Sequence, residues 1–144
     1  MRPGLQDFLG EWRLTRRIEP ADGGVARFEG RAWFTAVAEG LSYREEGELT
    51  LPGLAPMRAE REYLWRAGAG GRIEVFFGDG RPFHSFDPAA PEAAHWCDPD
   101  DYRVSYDFAA WPDWCAEWRV KGPRKDYRMV SNYARAEGAL PPRR

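Results

Sequence analysis

The sequence predicts an all-β fold: a single antiparallel up-and-down β-barrel of about ten strands, preceded by a short helical turn. Ten short runs of alternating polar and apolar residues follow one another, and turn-forming stretches such as "PADGG", "LPGLAP" and "GAGG" separate them. Aromatic residues, which favour strands, make up 15% of the 144 residues. One sheet of this size would tend to curl, and closing it into a barrel removes its edges.

The elements follow in order along the chain. Pro3 suits the first position of a helix, so residues 3–9 are the one helical candidate. The expected strands cover residues 10–19, 25–37, 41–49, 57–67, 72–77, 82–87, 94–97, 101–109, 114–121 and 126–135. The Asp-Gly pair at 79–80 is a hairpin signal. We expect one barrel domain over residues 1–136 and a flexible tail, "EGALPPRR", over residues 137–144.

The third and fourth runs fit one another in a register where paired residue numbers add up to 106. One face then joins apolar and aromatic residues: Leu41 with Trp65, Tyr43 with Tyr63, Gly47 with Ala59 and Leu49 with Met57. The other face joins opposite charges: Arg44 with Glu62 and Glu48 with Arg58. Pairs of both kinds stabilise a sheet, and a slip of one residue would lose them together. The exception is Glu45 opposite Arg61, a charged pair on the apolar face.

The same alternation turns many side chains of the other strands inward. These are Phe28, Ala32, Phe34, Val75, Phe77, His84, Phe86, Tyr102, Val104, Tyr106, Phe108, Trp114, Trp118, Val120, Tyr127, Met129, Ser131 and Tyr133. The register of the last two strands stays open. One choice sets Glu117 opposite Arg128 and Arg119 opposite Asp126, and a shifted register is the alternative.

The N-terminal turn, Gly10-x-Trp12 on the first strand and the meander together resemble the calycin group, which contains lipocalins, fatty-acid-binding proteins and nitrobindin-like barrels. In lipocalins this tryptophan plugs the closed end and a basic residue late in the last strand lies across it. The resemblance therefore implies that Trp12 is a plug and that Arg135 is its cation–π partner. The nitrobindin-like haem ligand has no counterpart after His95, so haem binding is not implied and no cofactor is expected.

Four segments, "FLGEWRLTRRI", "FEGRAWF", "DGRPFH" and "GPRKDYRMVSNYAR", are similar to a family of small bacterial single-domain proteins of unknown function. That resemblance covers nearly the whole chain. It implies a calycin-like barrel and supplies no activity.

Composition and charge indicate which classes of partner and which location to expect. The net charge is −2 with both signs finely mixed, which disfavours nucleic-acid binding. No apolar run reaches the ~20 residues of a membrane span. The N-terminal "MRPGLQDFLG" lacks the apolar region of a signal peptide, and Cys97 and Cys115 make a poor disulfide framework, so we expect a cytoplasmic protein. Oligomeric state stays open, a homodimer included.

Alternate turns of a meander fall at opposite ends of the barrel. If Trp12 plugs one end, the mouth lies at the other, where the turns carry Arg81, Arg124 and Lys125 among several aspartates. This rim either guides an anionic or polar ligand head or consists of ordinary solvated loop charges.

The inner charges are the second candidate site. Glu45 and Arg61 inside a barrel indicate a wet cavity or a polar ligand group, or else a structural ion pair, or an arginine that extends to the rim. His84 and four tyrosines add hydrogen-bonding groups, and Trp118 adds to the aromatic wall. The expected ligand-binding residues are Glu45, Arg61, His84, Tyr43, Tyr63, Tyr106, Trp118 and Tyr127. This composition suits a planar or partly apolar small molecule.

The sequence motifs do not indicate a particular metal site or reaction. His84, His95 and Cys97 lack a zinc-site spacing, so no metal is expected. No nucleophile elbow, phosphate loop or zinc-protease motif is present, and catalytic residues stay unassigned. The leading hypothesis is an intracellular small-molecule binding protein. One alternative is an isomerase or hydrolase with Glu45 and His84 as acid and base. In the simpler interpretation of this histidine, His84 only hydrogen-bonds a tyrosine. The other alternative is a filled barrel that acts as an interaction domain.

Overall fold

A computed structural model of the chain describes residues 2–136. Its ten strands are β1 (Gly10–Pro20), β2 (Ala26–Val37), β3 (Gly40–Thr50), β4 (Met57–Ala67), β5 (Ile73–Phe77), β6 (Pro82–Phe86), β7 (Glu92–Cys97), β8 (Asp100–Asp107), β9 (Trp114–Lys121) and β10 (Asp126–Arg135). The N-terminal turn is a 3-10 helix over Leu5–Phe8, and a second, unpredicted 3-10 turn covers Ala69–Gly71 within "GAGG". The tail predicted at 137–144 lies outside the described residues.

All ten strands belong to one antiparallel sheet, in the order β6-β5-β4-β3-β2-β1-β10-β9-β8-β7. The first and last strands pair along Trp12–Pro20, which brings the ends of the chain together in the middle of the sheet. The two edge strands, β6 and β7, contact each other and nearly close the barrel. The all-β, up-and-down barrel predicted from the sequence is confirmed.

The register predicted for β3 and β4 is confirmed at every position from Leu41 opposite Trp65 to Leu49 opposite Met57. The register tried for β9 and β10 is wrong by two residues, because Arg128 lies opposite Arg119 and Asp126 opposite Lys121. A tight turn causes the shift, since the Gly122 amide donates to the Lys125 carbonyl. The expected ion pairs nevertheless form on the diagonal, with Arg128–Glu117 at 3.0 Å and Arg119–Asp126 at 2.7 Å. A shift of two leaves the inward face unchanged.

One end of the barrel is plugged by the N-terminal segment. Phe8 and Trp12 are fully buried, and the Trp12 indole donates a hydrogen bond of 2.8 Å to the Phe8 carbonyl. The Arg135 guanidinium carbon lies 3.8 Å from the centre of the Trp12 ring, which confirms the predicted cation–π contact. Arg135 also donates to the carbonyls of Leu9 and Asp7. Gly10 has a φ of 113°, a backbone conformation that favours glycine, where the chain enters β1.

Candidate ligand-binding site

A cavity of about 310 Å³ lies inside the barrel. Its lining includes Phe77, Cys97 and Lys125, which lie at or near the strand ends remote from Trp12, and the exposed Arg61 of β4. All eight residues expected to bind a ligand line it: Tyr43, Glu45, Arg61, Tyr63, His84, Tyr106, Trp118 and Tyr127. A space of this volume has room for several water molecules. It therefore does not favour a barrel filled by its own side chains.

The lining of the cavity includes a buried salt bridge whose arginine differs from the one predicted. Both terminal nitrogens of Arg16 donate to the two carboxylate oxygens of Glu45, at 2.5 and 2.9 Å. Arg61 lies opposite Glu45 in the sheet, yet it is exposed and is not within ion-pair distance of any carboxylate in the described residues. The expected Glu45–Arg61 pair is thus replaced by Glu45–Arg16.

Hydroxyl groups complete this polar network. The Arg16 Nε donates to the Ser131 hydroxyl at 2.7 Å, and the Tyr43 hydroxyl donates to Glu45 at 2.6 Å. Because Tyr43 has a single hydroxyl proton, the Tyr133 hydroxyl, 2.7 Å away, donates to Tyr43. All three guanidinium nitrogens of Arg16 and both carboxylate oxygens of Glu45 therefore have hydrogen-bond partners. This is the condition under which a buried ion pair is tolerated.

The network fixes the charge states of its members. Burial alone would lower the pKa of Arg16, but the hydrogen bonds and charge of Glu45 raise it above the ordinary arginine value. Burial alone would raise the pKa of Glu45, yet the hydrogen bonds and charge of Arg16, with the hydrogen bond from Tyr43, lower it. Glu45 is therefore a carboxylate at neutral pH, bound on both oxygens, and is a weak base.

His84 is neutral at physiological pH. Burial, with a smaller contribution from His95, lowers the pKa of His84 to about 3. Its Nε2 lies 2.8 Å from the Tyr106 hydroxyl and forms a hydrogen bond with it. Of the two interpretations given for His84 from the sequence, this is the hydrogen bond to a tyrosine. Its Nδ1 is buried without a hydrogen-bond partner in the described chain, and so is Nε1 of Trp114, which also lines the cavity. Two buried polar atoms without partners are costly.

A β-bulge adds an aromatic residue that the sequence alternation did not predict. The pairing of β5 with β6 shifts between Val75 and Phe76, so that Val75 lies opposite His84 and Phe76 opposite Pro82. Phe83 is left unpaired, and both Phe83 and its neighbour His84 line the cavity. Bulges re-aim side chains in this way and are common beside binding sites.

The Phe83 ring lies in a stack of aromatic side chains. Its centre is 4.4 Å from that of Phe77 and 5.1 Å from that of Trp118, and both pairs are nearly parallel. Tyr63 stacks on the same ring at 6.0 Å. The cavity thus has flat aromatic walls beside the buried polar network of Arg16 and Glu45.

The predicted rim residues differ in their surroundings. Lys125 lines the cavity and donates to the Tyr102 hydroxyl at 2.9 Å while pairing with Asp100 at 3.1 Å. Arg81 is exposed and pairs with Asp79 in its own turn, and Arg124 is exposed. Neither Arg81 nor Arg124 lines the cavity, so of the three only Lys125 is placed beside it.

In the described part of the chain, no group of three or more His, Cys, Asp or Glu side chains is placed to hold a metal ion. Cys97 and Cys115 are free thiols. Cys97 is exposed and lines the cavity, whereas Cys115 faces the outside. Among the described residues, no helix has the length and apolar character needed to cross a membrane.

Fold and cavity together define a lipocalin-like barrel. A family model matches residues 8–135, so the chain belongs to DUF6314, a family of unknown function. No curated protein matches it. The S-type phycobiliprotein lyase CPES from Guillardia theta is structurally similar, with a TM-score of 0.65 over 92% of this chain and 90% of that chain at 11% identity. A de novo designed fluorescence-activating β-barrel gives a TM-score of 0.40 over 92% of this chain and 96% of that chain at 13% identity.

Proposed function

We propose that this protein binds a small planar or partly apolar molecule inside its barrel. The observation that carries the proposal is the cavity of about 310 Å³, whose lining combines aromatic walls with a buried polar network. Ligand sites in proteins commonly have volumes of about 300–1,000 Å³ and combine apolar walls with a few placed polar groups. A cytoplasmic location, the absence of a cofactor and the oligomeric state stay predictions from the sequence.

In this proposal the flat side chains hold the body of the ligand. Tyr63, Phe83 and Trp118 supply the wall, and a polar group of the ligand lies near His84 and Trp114, whose ring nitrogens Nδ1 and Nε1 lack partners in the described part of the protein. Bonding these two atoms would remove the cost of burying them unpaired. Arg16 and Glu45 form a fixed polar part of the wall.

Catalysis by Glu45 and His84 fits the site less well. A useful general base has a pKa near the working pH, but the pKa of Glu45 is lowered and that of His84 is about 3. The similar structure is named a lyase, so a barrel of this shape also occurs in an enzyme. The chemistry of these residues nevertheless supports binding.

Native mass spectrometry of protein purified from its own host tests the proposal. We expect an additional bound mass that is lost under denaturing conditions. Ala116→Phe places a ring in the cavity and should remove that mass, whereas Ser105→Phe on the outer face of β8 is the matched control and should keep it. Circular dichroism would verify that both variants are folded. An additional mass that survives in folded Ala116→Phe would contradict binding inside the barrel.

A further inference from the structure

The side chains around the cavity carry an excess of positive charge. Three cations, Arg16, Arg61 and Lys125, line it against one carboxylate, Glu45. His84 adds no charge at neutral pH, because burial lowers its pKa to about 3. The whole chain has a net charge of −2, so the charge of the cavity lining is opposite in sign to that of the whole chain.

These cations are not equivalent. Arg16 is neutralised by Glu45, and Lys125 is partly neutralised by Asp100. Arg61 has no carboxylate within ion-pair distance among the described residues. By contrast, Arg44 and Arg58, which project outward from the same β3–β4 hairpin, each pair with Glu46, at 2.7 and 3.1 Å. The hairpin therefore pairs its outer arginines and leaves the arginine at the cavity available.

Arg61 also lies where its charge reaches the inside of the barrel. It is opposite Glu45 in the sheet, and its charge acts on both Glu45 and Tyr127, which line the same cavity. A guanidinium presents a planar set of N–H donors that matches a carboxylate or another oxyanion. Lys125, across the barrel on the turn before β10, has one ammonium proton beyond those directed at Tyr102 and Asp100.

We propose that the ligand is an aromatic or partly apolar anion, with its carboxylate or other oxyanion at the cavity mouth against Arg61, assisted by Lys125, and its body among the rings below. This inference rests on the proposed binding function and specifies the charge class of the ligand. It moves the anion-binding role from the predicted Arg81 and Arg124 to Arg61 and keeps it at Lys125.

Two fluorescent probes with the same aromatic body separate charge from apolar binding. 8-Anilino-1-naphthalenesulfonate carries a sulfonate, and N-phenyl-1-naphthylamine is its uncharged counterpart. Titrations would compare the wild-type protein with Arg61→Gln and with Arg58→Gln, a control that removes an arginine from the outer face of the same strand. Competition between the two probes would establish that they share one site.

In Arg61→Gln we expect the Kd of the sulfonate to rise about tenfold or more, as for a lost charge-assisted hydrogen bond. The Kd of the uncharged probe should change less than about twofold, and Arg58→Gln should change neither value. An unchanged sulfonate Kd in Arg61→Gln, an equal rise in Arg58→Gln, or probes that do not compete would overturn the anion site while leaving neutral binding intact. Failure of the wild-type protein to bind either probe would instead remove the proposed function and this inference together.

Discussion

Arg16 and Glu45 form a salt bridge in which both side chains are buried, with 7% and 2% of their surfaces exposed. Removing two charges from water costs several kcal/mol for each ion, and attraction repays this only when the remaining donors and acceptors are bonded. Ser131 and Tyr43 provide those bonds. The pair therefore gives this part of the cavity wall one fixed geometry and one fixed charge state.

Replacing Glu45 tests this at the residue scale. Glu45→Gln keeps the shape but leaves the Arg16 guanidinium buried without a countercharge, so the free energy of unfolding at pH 7 should fall by about 3 kcal/mol. Urea denaturation would measure it. The control Glu60→Gln, an exposed partner of Arg44 on β4, should change stability by less than about 1 kcal/mol.

The same variant has a pH signature with a definite sign. The pKa of Glu45 is lower in the folded chain than its ordinary value of 4.5, so the unfolded chain takes up a proton first as the pH falls. The contribution of Glu45 is thus fully present above that value and is lost as the pH falls through the folded-state pKa. The stability gap between wild type and Glu45→Gln should narrow below about pH 4.5. A gap that widens in acid would contradict this account.

Residue by residue, the sequence indicated the inward position of Glu45 but not its partner. Alternation from Trp12 through Leu14 places Arg16 inside, a signal available in the sequence that the adjacent Arg17 obscured. The pairing itself spans β2, which lies between β1 and β3 and carries only the small side chain of Ala32 opposite Glu45. A rule that considers only directly opposed residues pairs Glu45 with Arg61. It misses Arg16, because a contact across an intervening strand depends on how strongly the barrel curves.

At the scale of single strands, alternation predicted nearly all the boundaries to within one or two residues. It also predicted the whole β3–β4 register, where an apolar face and a charged face constrain the same alignment. It failed at β9–β10, because long arginine side chains reach acidic partners on the diagonal as easily as directly across. It missed Phe83 as well, since a bulge adds a residue without leaving a mark in the polar and apolar pattern.

The Phe83 bulge gives a testable effect on ligand entry. Phe83 is half-buried and stacks between Phe77 and Trp118, so Phe83→Ala should widen the upper cavity and speed association of N-phenyl-1-naphthylamine by severalfold in stopped-flow measurements. Lost packing should cost about 2 kcal/mol. Phe76→Ala is the control, because Phe76 lies outside the cavity and packs against Arg66, 4.2 Å away. Equal acceleration in both variants would assign the effect to general loosening of β5 and β6.

The molecule as a whole is a barrel with one plugged end and one seam. Phe8, Trp12 and Arg135 close the floor. Beside the seam between β6 and β7, side chains of β6 contact both β7 and β8: the rings of Phe83 and His95 lie 5.3 Å apart, and His84 hydrogen-bonds Tyr106. Aromatic residues thus stabilise the edges of a sheet whose other strands are held by backbone hydrogen bonds.

This division predicts where the barrel opens. In β1, β2 and β10 the strands are hydrogen-bonded on both sides, whereas β6 and β7 are bonded on one side only. Local opening follows the least supported backbone, so amides of β6 and β7 should exchange with solvent faster than those of β1 and β10 in native-state hydrogen exchange by NMR. Bound N-phenyl-1-naphthylamine should slow exchange in β6 more than in β2, because Phe83 and His84 of β6 line the cavity. Equal protection of β1 and β6 in the free protein would mean that the seam is as stable as a hydrogen-bonded strand pair, and the ring contacts would then have to contribute as much as a backbone ladder.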